Sequence, residues 1–340
     1  MPLKPPPPRP RRKARATTPV PPILSGMTFL ETASVQPATR YSYCRLLEVF
    51  LRWSGLVTVA VGGERLDHLL CQYFHRLYTE GRGAEAGSKL IAAILFVYPA
   101  QAGRGRPALG RALRALKGWK RKMPAATRQP LPYFVVMGIG SDLRRRGLPL
   151  MALCWLLMFD TYMRPGECTD LQASQIVPPQ PGAGMKQAAV LLNPGYREKF
   201  SKTGELDESL LVSRRWLSEM IADYALTLMP SAPLWPFSMN ELRKAFMETC
   251  AGLHLEHLRP VLYMARHSGA STDRLENRAS LAEVQVRGRW RSDTSVRRYE
   301  KRALVMKAAA SLTPVQKRKF VQDEIDLPAA LRADLRQRRK

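Results

Sequence analysis

The sequence predicts a mainly α protein with a small antiparallel sheet, an α+β fold divided into an N-terminal helical domain and a larger second domain. Three observations predict it. Apolar residues recur at helical spacing along most of the chain. Three short runs, LQASQIV (171–177), QAAVLLN (187–193) and ESLLVS (208–213), read as successive strands flanked on both sides by helical patterns. Between the two helical regions, PAATRQPLP (124–132) holds three prolines, which suits an interdomain linker.

The elements follow in order. Residues 1–25 form a basic, Pro-rich tail in which proline favours extended chain and forbids helix. Residues 26–125 carry four helical patterns. The first, 39–55, places Tyr43, Leu46, Leu47, Phe50 and Leu51 on one stripe and stops at Gly55. The others are 66–81, ending at Gly81, 87–99, ending at Pro99, and 109–123. Arg111, Arg114, Lys117, Lys120, Arg121 and Lys122 sit on the fourth as candidate contacts for an anionic partner. The second domain, 126–312, opens with a helix over 134–147 and another over 148–163 that is apolar almost all round, hence buried. After the strands, helices are expected at about 214–228, 239–252, 260–275, 280–289 and 293–310. Residues 313–340 form a basic C-terminal extension.

Charge is the outlier in the composition. The 340 residues hold 54 Lys and Arg against 28 Asp and Glu, a net +26. The tail supplies six of these charges and the last fifteen residues a net three, so seventeen belong to the middle of the chain. Such a surplus repels itself unless a polyanion offsets it, which makes nucleic acid the expected partner. The longest strongly apolar stretch, Leu148–Phe159, is too short to cross a membrane, and no apolar run follows the basic N-terminus as a secretory signal requires. Five scattered Cys without C-x-x-C spacing fit reduced thiols and an intracellular protein.

The second domain carries a set of residues suited to metal-free phosphodiester chemistry, which needs a nucleophile, cations on the non-bridging oxygens and an acid for the leaving oxygen. Arg164 lies in TYMRPGE with Glu167 three residues on, and Lys202 in SKTGE between two strands. Arg266 lies in YMARHSG with Tyr263 three residues before it, Trp290 in VRGRWRS, and Tyr299 nine residues later. In that order and spacing the set resembles the tyrosine recombinase (phage integrase) family over roughly residues 28–312. The phrases RHSGAS, LAEVQVRGRW and SVRRYEK look most like recombinases of eukaryotic mobile elements.

The resemblance implies a helical core-binding domain followed by a catalytic domain, the two clamping duplex DNA. It implies site-specific DNA recombination or integration, by strand breakage and rejoining through a 3′-phosphotyrosyl intermediate. Tyr299 would attack phosphorus, Arg164 and Arg266 would hold the non-bridging oxygens, and Lys202 would protonate the 5′-oxygen. Trp290 would pack beside the phosphate and Glu167 would orient Arg164. Energy stays in the covalent link, so no metal or nucleotide cofactor is required. A homo-oligomer, dimer or tetramer, on DNA and a nuclear location in a eukaryote also follow from it. Tyr263 departs from the family, which has His in H-x-x-R, because a phenol with a reference pKa of about 10 is a poor base near neutrality. His267, four residues from Tyr263, is a supporting candidate.

Two rival readings stand beside this one: a decayed or domesticated recombinase that only binds DNA, favoured by Tyr263, and a type IB topoisomerase-like enzyme. The segment after Tyr299 is long enough to dock on a neighbouring protomer, as in recombinases. GRGRPALG (103–110) has P-loop glycine spacing but Arg111-Ala112 where Lys-Ser/Thr is needed, and reads as a loop. Cys250, His254 and His257 lack a fourth ligand at zinc spacing and read as ordinary side chains. Arg144, Arg145 and Arg146 beside the linker are further candidates for the phosphate backbone.

Overall fold

The computed structural model describes Leu24 and residues 26–61, 63–102, 109–124, 129–195, 208–292, 296–300 and 302–337. The chain divides into two compact units, Met1–Thr127 and Arg128–Lys340.

The first unit is all helix among its described residues: α1 (Phe29–Ala33), α2 (Pro37–Ser54), α3 (Gly63–Thr79), α4 (Glu85–Val97) and α5 (Gly110–Lys122). Thr28 and Glu31 cap α1 reciprocally, and Gly55, at φ 68°, ends α2 in the left-handed conformation. α3 packs on α5 and α2 on α4. Leu47, Phe50, Leu66, Leu70, Phe74, Leu90, Ile94, Leu116 and Trp119 form their shared core. Buried Asp67 on α3 accepts the backbone N–H groups of Arg111 and Ala112, at 2.8 and 2.6 Å. It thereby satisfies donors that the start of α5 would leave open. With Ala112, Leu116 and Trp119 turned inward, the six basic residues of α5 are all exposed.

The second unit is built round α6 (Tyr133–Arg145) and α7 (Pro149–Thr161). α7 is buried on every side, as its unbroken apolar run requires. α8 (Pro165–Thr169) follows, then β1 (Ile176–Val177), β2 (Ala189–Leu192) and β3 (Glu208–Leu211). The three strands form one antiparallel sheet in the order β1-β2-β3, with Ile176 opposite Val190 and Val190 opposite Leu210. Then come α9 (Arg215–Ala225), α10 (Met239–Gly252), α11 (Met264–Leu275), α12 (Leu281–Gly288), a 3₁₀ turn at Arg297–Glu300, α13 (Arg302–Ala310) and α14 (Pro314–Gln337). The mainly helical class with a small antiparallel sheet is therefore the fold observed.

Several elements differ from expectation, each for a local reason. LQASQIV is mostly a 3₁₀ turn, and only its last two residues pair as β1. The Gln175 side chain is buried, accepts the Gln172 N–H at 3.0 Å and donates to the Leu191 carbonyl at 2.7 Å, which curls the chain before it can extend. The helix expected from 260 starts at Met264, because Arg259 is left-handed, at φ 49°, and Pro260 follows it. The short helices α1 and α8 escaped the periodicity, being only five residues each.

The largest difference is at the C-terminus. The basic extension is a 24-residue helix whose Phe320, Leu327, Leu331 and Leu335 lie in the main core. Gly138 on α6 makes the fit possible, since a Cβ there would collide with the Phe320 ring. Asp323 receives the Ser141 hydroxyl at 2.8 Å and Arg145 at 2.6 Å. In the structure this helix docks on α6 of its own chain. Truncation after residue 312 is therefore expected to unfold or strongly destabilise the second unit. Burial of Phe320 alone accounts for about 3–5 kcal/mol of stability. A thermal melt of the truncated chain that matches the full chain would contradict this packing.

Candidate active site

Tyr299, Trp290, Arg266, Tyr263 and Arg164 come together from four segments of the second unit. α11 supplies Arg266 with Tyr263 at its N-cap and His267 next along. The chain beyond α12 supplies Trp290, the 3₁₀ turn supplies Tyr299, and the residue before α8 supplies Arg164. Beneath them lies a small apolar cluster, separate from the main core, of Tyr162, Ala270, Val284, Val296 and Tyr299 with Trp290 against it. Gly288 is required here, because a Cβ would occupy the space of the Trp290 ring.

Arg266 is the most unusual residue of the group. It is 1% exposed. Its two terminal nitrogens donate to the Tyr162 and Gly288 carbonyls. Its carbon lies 4.5 Å from the centroid of the Trp290 ring, a cation–π contact. Among the described residues it forms no ion pair, and its Nε has no partner. Burial lowers its pKa to about 10; Arg164 and Arg289 act in the same direction, and Tyr263 and Glu167 act against it. Two fixed carbonyls and a ring face thus hold a buried cation that forms no direct ion pair among the described residues.

Arg164 sits differently. Its backbone N–H donates to Glu167 at 2.8 Å, and its guanidinium pairs with the same carboxylate. Burial depresses the guanidinium pKa, but Glu167 and a hydrogen bond with Tyr263 outweigh that and hold it above its ordinary value. Glu167 is pushed up by burial, yet Arg289 and Arg164 bring it below the usual carboxylate range. Tyr263 therefore faces Arg164, and its ring centroid is 5.0 Å from that of His267.

Tyr299 is 4% exposed. Its ring lies 4.6 Å from Trp290 and stacks on His267 at 5.4 Å. Its hydroxyl is 2.7 Å from His267 Nδ1. With the proton of His267 on Nε2, the phenol donates to Nδ1. Lys202 and its SKTGE turn lie outside the described residues.

The sequence reading missed Arg289, Arg287, Asp160 and Arg214, which with their partners hold the site in place. Arg289, left-handed at φ 53°, donates to Glu167 at 2.6 Å and to Glu208 of β3 at 3.1 Å. It ties the end of α12 to α8 and the sheet. Arg287 donates to the Asp160 carbonyl and the Ser213 hydroxyl. Asp160, fully buried at the end of α7, also accepts Arg214 Nη1 at 2.7 Å and the Ser213 N–H at 2.6 Å. For Asp160 and its partners Arg214 and Arg287 the signal was present: Asp160 directly follows the apolar run at the buried end of α7, and a buried carboxylate demands cationic partners.

The other basic candidates divide. The α5 residues face solvent. Arg144, Arg145 and Arg146 instead pair with Asp334 at 3.1 Å, Asp323 at 2.6 Å and Glu248 at 2.8 Å. Cys250 is buried, with its thiol pKa raised by burial to about 12, while His254 and His257 are exposed. Among the described residues no cluster of His, Cys, Asp or Glu could hold a metal, and no helix is long and apolar enough to cross a membrane.

Chemically, the group joins a phenol, an imidazole able to accept its proton, and two guanidinium groups around one spot. One of those cations, Arg266, is buried without a direct ion pair among the described residues. An oxyanion centre with two non-bridging oxygens suits that arrangement.

No protein-family model matches the chain, and no curated protein does. Solved structures do. A lambda integrase dimer bound to a COC′ core site is 15% identical with a TM-score of 0.53, covering 81% of this chain and 74% of that one. A lambda integrase fragment, also a dimer on the COC′ core site, is 15% identical with a TM-score of 0.52, over 80% of this chain and 92% of its own. XerH site-specific recombinase bound to a palindromic difH substrate, in a post-cleavage complex, is 14% identical with a TM-score of 0.50, over 75% and 73%. At such identities the likeness is one of fold, and the fold of this chain is that of the tyrosine recombinases.

Proposed function

We propose that this protein breaks and rejoins duplex DNA as a site-specific tyrosine recombinase or integrase. The observation that carries this reading is the pairing of the Tyr299 hydroxyl with an imidazole beside a buried Arg266 that forms no direct ion pair among the described residues. A backbone phosphodiester brings a negative charge to this cation. Arg164 and Arg266 hold its non-bridging oxygens, and the indole N–H of Trp290 is a further donor beside it. Tyr299 attacks phosphorus, the P–O5′ bond breaks, and the leaving oxygen takes a proton from Lys202. The 3′-phosphotyrosyl link stores the bond energy, so no metal or nucleotide enters. Tyr263 supports Arg164, and Glu167 with Arg289 fixes the guanidinium in place.

Binding rests on the exposed cations of α5: Arg111, Arg114, Lys117, Lys120, Arg121 and Lys122. Arg144, Arg145 and Arg146 have their charge offset by acids and are weaker contacts in this proposal. Assembly as a dimer or tetramer on DNA is part of the same reading, supported by the dimers seen for lambda integrase. The sequence phrases around Arg266 and Tyr299 carry the finer placement among eukaryotic mobile elements, and with it a nuclear location.

Affinity is expected to fall steeply with salt. Six α5 cations on phosphates give a slope of log K against log[salt] of about −5. A flat dependence in a filter-binding or anisotropy titration would rule out this interface. The reaction itself is tested by incubation with a nicked suicide duplex, followed by a denaturing gel. A covalent protein–DNA band is expected. DNA binding with no such band on several bound substrates would favour the decayed, DNA-binding reading. Relaxation of supercoiled plasmid without partner exchange would favour the topoisomerase-like one.

A further inference from the structure

We infer that His267 takes and returns the proton of the Tyr299 hydroxyl, serving as general base in strand cleavage and general acid in religation. This rests on the recombinase reading and deepens it. The sequence left the base unassigned, because the H-x-x-R histidine position holds Tyr263.

The geometry separates the two candidates. Both lie on one face of α11, one turn apart, with ring centroids 5.0 Å from each other. Tyr263, at the N-cap, hydrogen-bonds Arg164. His267, one turn on, lies flat against the Tyr299 ring and meets its hydroxyl at 2.7 Å. That distance is within proton-transfer reach. A reference imidazole, with a pKa of about 6.5, is largely neutral at physiological pH and can accept a proton, whereas a second phenol at about 10 cannot. Arg266, adjacent in sequence, and Arg164, beyond Tyr263, both favour the phenolate that forms. The same two cations disfavour a lasting imidazolium, so the proton is readily returned once the reaction reverses.

The protons and bonds balance. In cleavage the Tyr299 proton passes to His267 Nδ1, the phenolic oxygen bonds to phosphorus, P–O5′ breaks, and O5′ takes a proton from the separate acid, Lys202. In religation the 5′-hydroxyl returns its proton to that amine and bonds to phosphorus. The phosphotyrosyl bond then breaks and the phenolate recovers its proton from His267.

The test uses the full chain and single-turnover adduct formation on the nicked suicide duplex. His267→Ala and His267→Gln are expected to slow adduct formation on the order of 10²–10⁴-fold, with DNA affinity unchanged and a cooperative thermal melt retained, lowered only modestly by loss of the contact with Tyr299. Two readouts separate proton transfer from a structural role. Free imidazole should restore His267→Ala in proportion to its neutral fraction. A 5′-bridging phosphorothiolate, whose thiolate leaves without a proton, should rescue Lys202→Ala but not His267→Ala. The inference is overturned if His267→Ala cleaves within about threefold of the parent, if imidazole does nothing, or if the phosphorothiolate restores it. A parent protein that binds these duplexes but forms no adduct overturns the recombinase reading itself, and this inference with it.

Discussion

Tyr299→Phe is expected to abolish covalent capture of DNA completely while leaving folding and DNA affinity in place. The substitution removes one oxygen from a ring held by Trp290, His267, Val284 and Val296. The packing survives, and the lost hydrogen bond to His267 costs about 1 kcal/mol. The proposed chemistry does not survive, because the covalent intermediate needs that nucleophile. Tyr263→Phe is the matched control. It deletes the same atom from a residue that contacts Arg164, and a partial loss of rate is expected. Single-turnover assays on one suicide substrate compare them directly. Equal residual activity in both variants would mean that neither phenol is the nucleophile.

Arg266→Ala should be nearly as severe for cleavage, and Arg164→Ala comparably so. Removing one donor to a developing oxyanion costs on the order of 10²–10³-fold in rate. Affinity should fall far less, because it is spread over many phosphates. The two variants should part in stability. Arg164 is partly exposed, and Glu167 keeps Arg289 as a partner when it is gone. Arg266 is buried and satisfies two carbonyls. Its removal strands both, at a cost of about 1–3 kcal/mol each, partly offset by relief of a desolvated buried charge. Arg266→Lys keeps the charge but lacks the fork that reaches both carbonyls, so it should fold better than Arg266→Ala and still cleave poorly. Parallel loss of binding and cleavage in all three would reduce these arginines to general phosphate contacts.

Much of this architecture is legible in the sequence because it follows from local rules. The stripes of α2, α3 and α5 and the unbroken apolar run of α7 dictate helices whatever their neighbours. The ordering of Arg164, Arg266, Trp290 and Tyr299 pointed to one site, and these residues do converge. What escaped depends on partners distant in sequence. Asp160 makes sense only with Arg214 and Arg287, more than fifty residues away. Gln175 looks like a strand residue until it meets the Leu191 carbonyl. The C-terminal helix reads as a charged extension because its apolar positions are sparse; Gly138 and Gly140, on the opposing face of α6, create the groove that receives Phe320 and Leu327. The division of labour between Tyr263 and His267 is likewise invisible in spacing, since both lie on one helix face and only the 3₁₀ turn bearing Tyr299 tells them apart.

The most direct measurement is the identity of the residue that carries DNA. Covalent adduct trapped on a nicked suicide duplex, digested with nuclease and trypsin, should give one modified peptide in mass spectrometry, with a 3′-phosphonucleotide on Tyr299. Modification of another residue, or no modification on DNA that the protein demonstrably binds, would contradict the account.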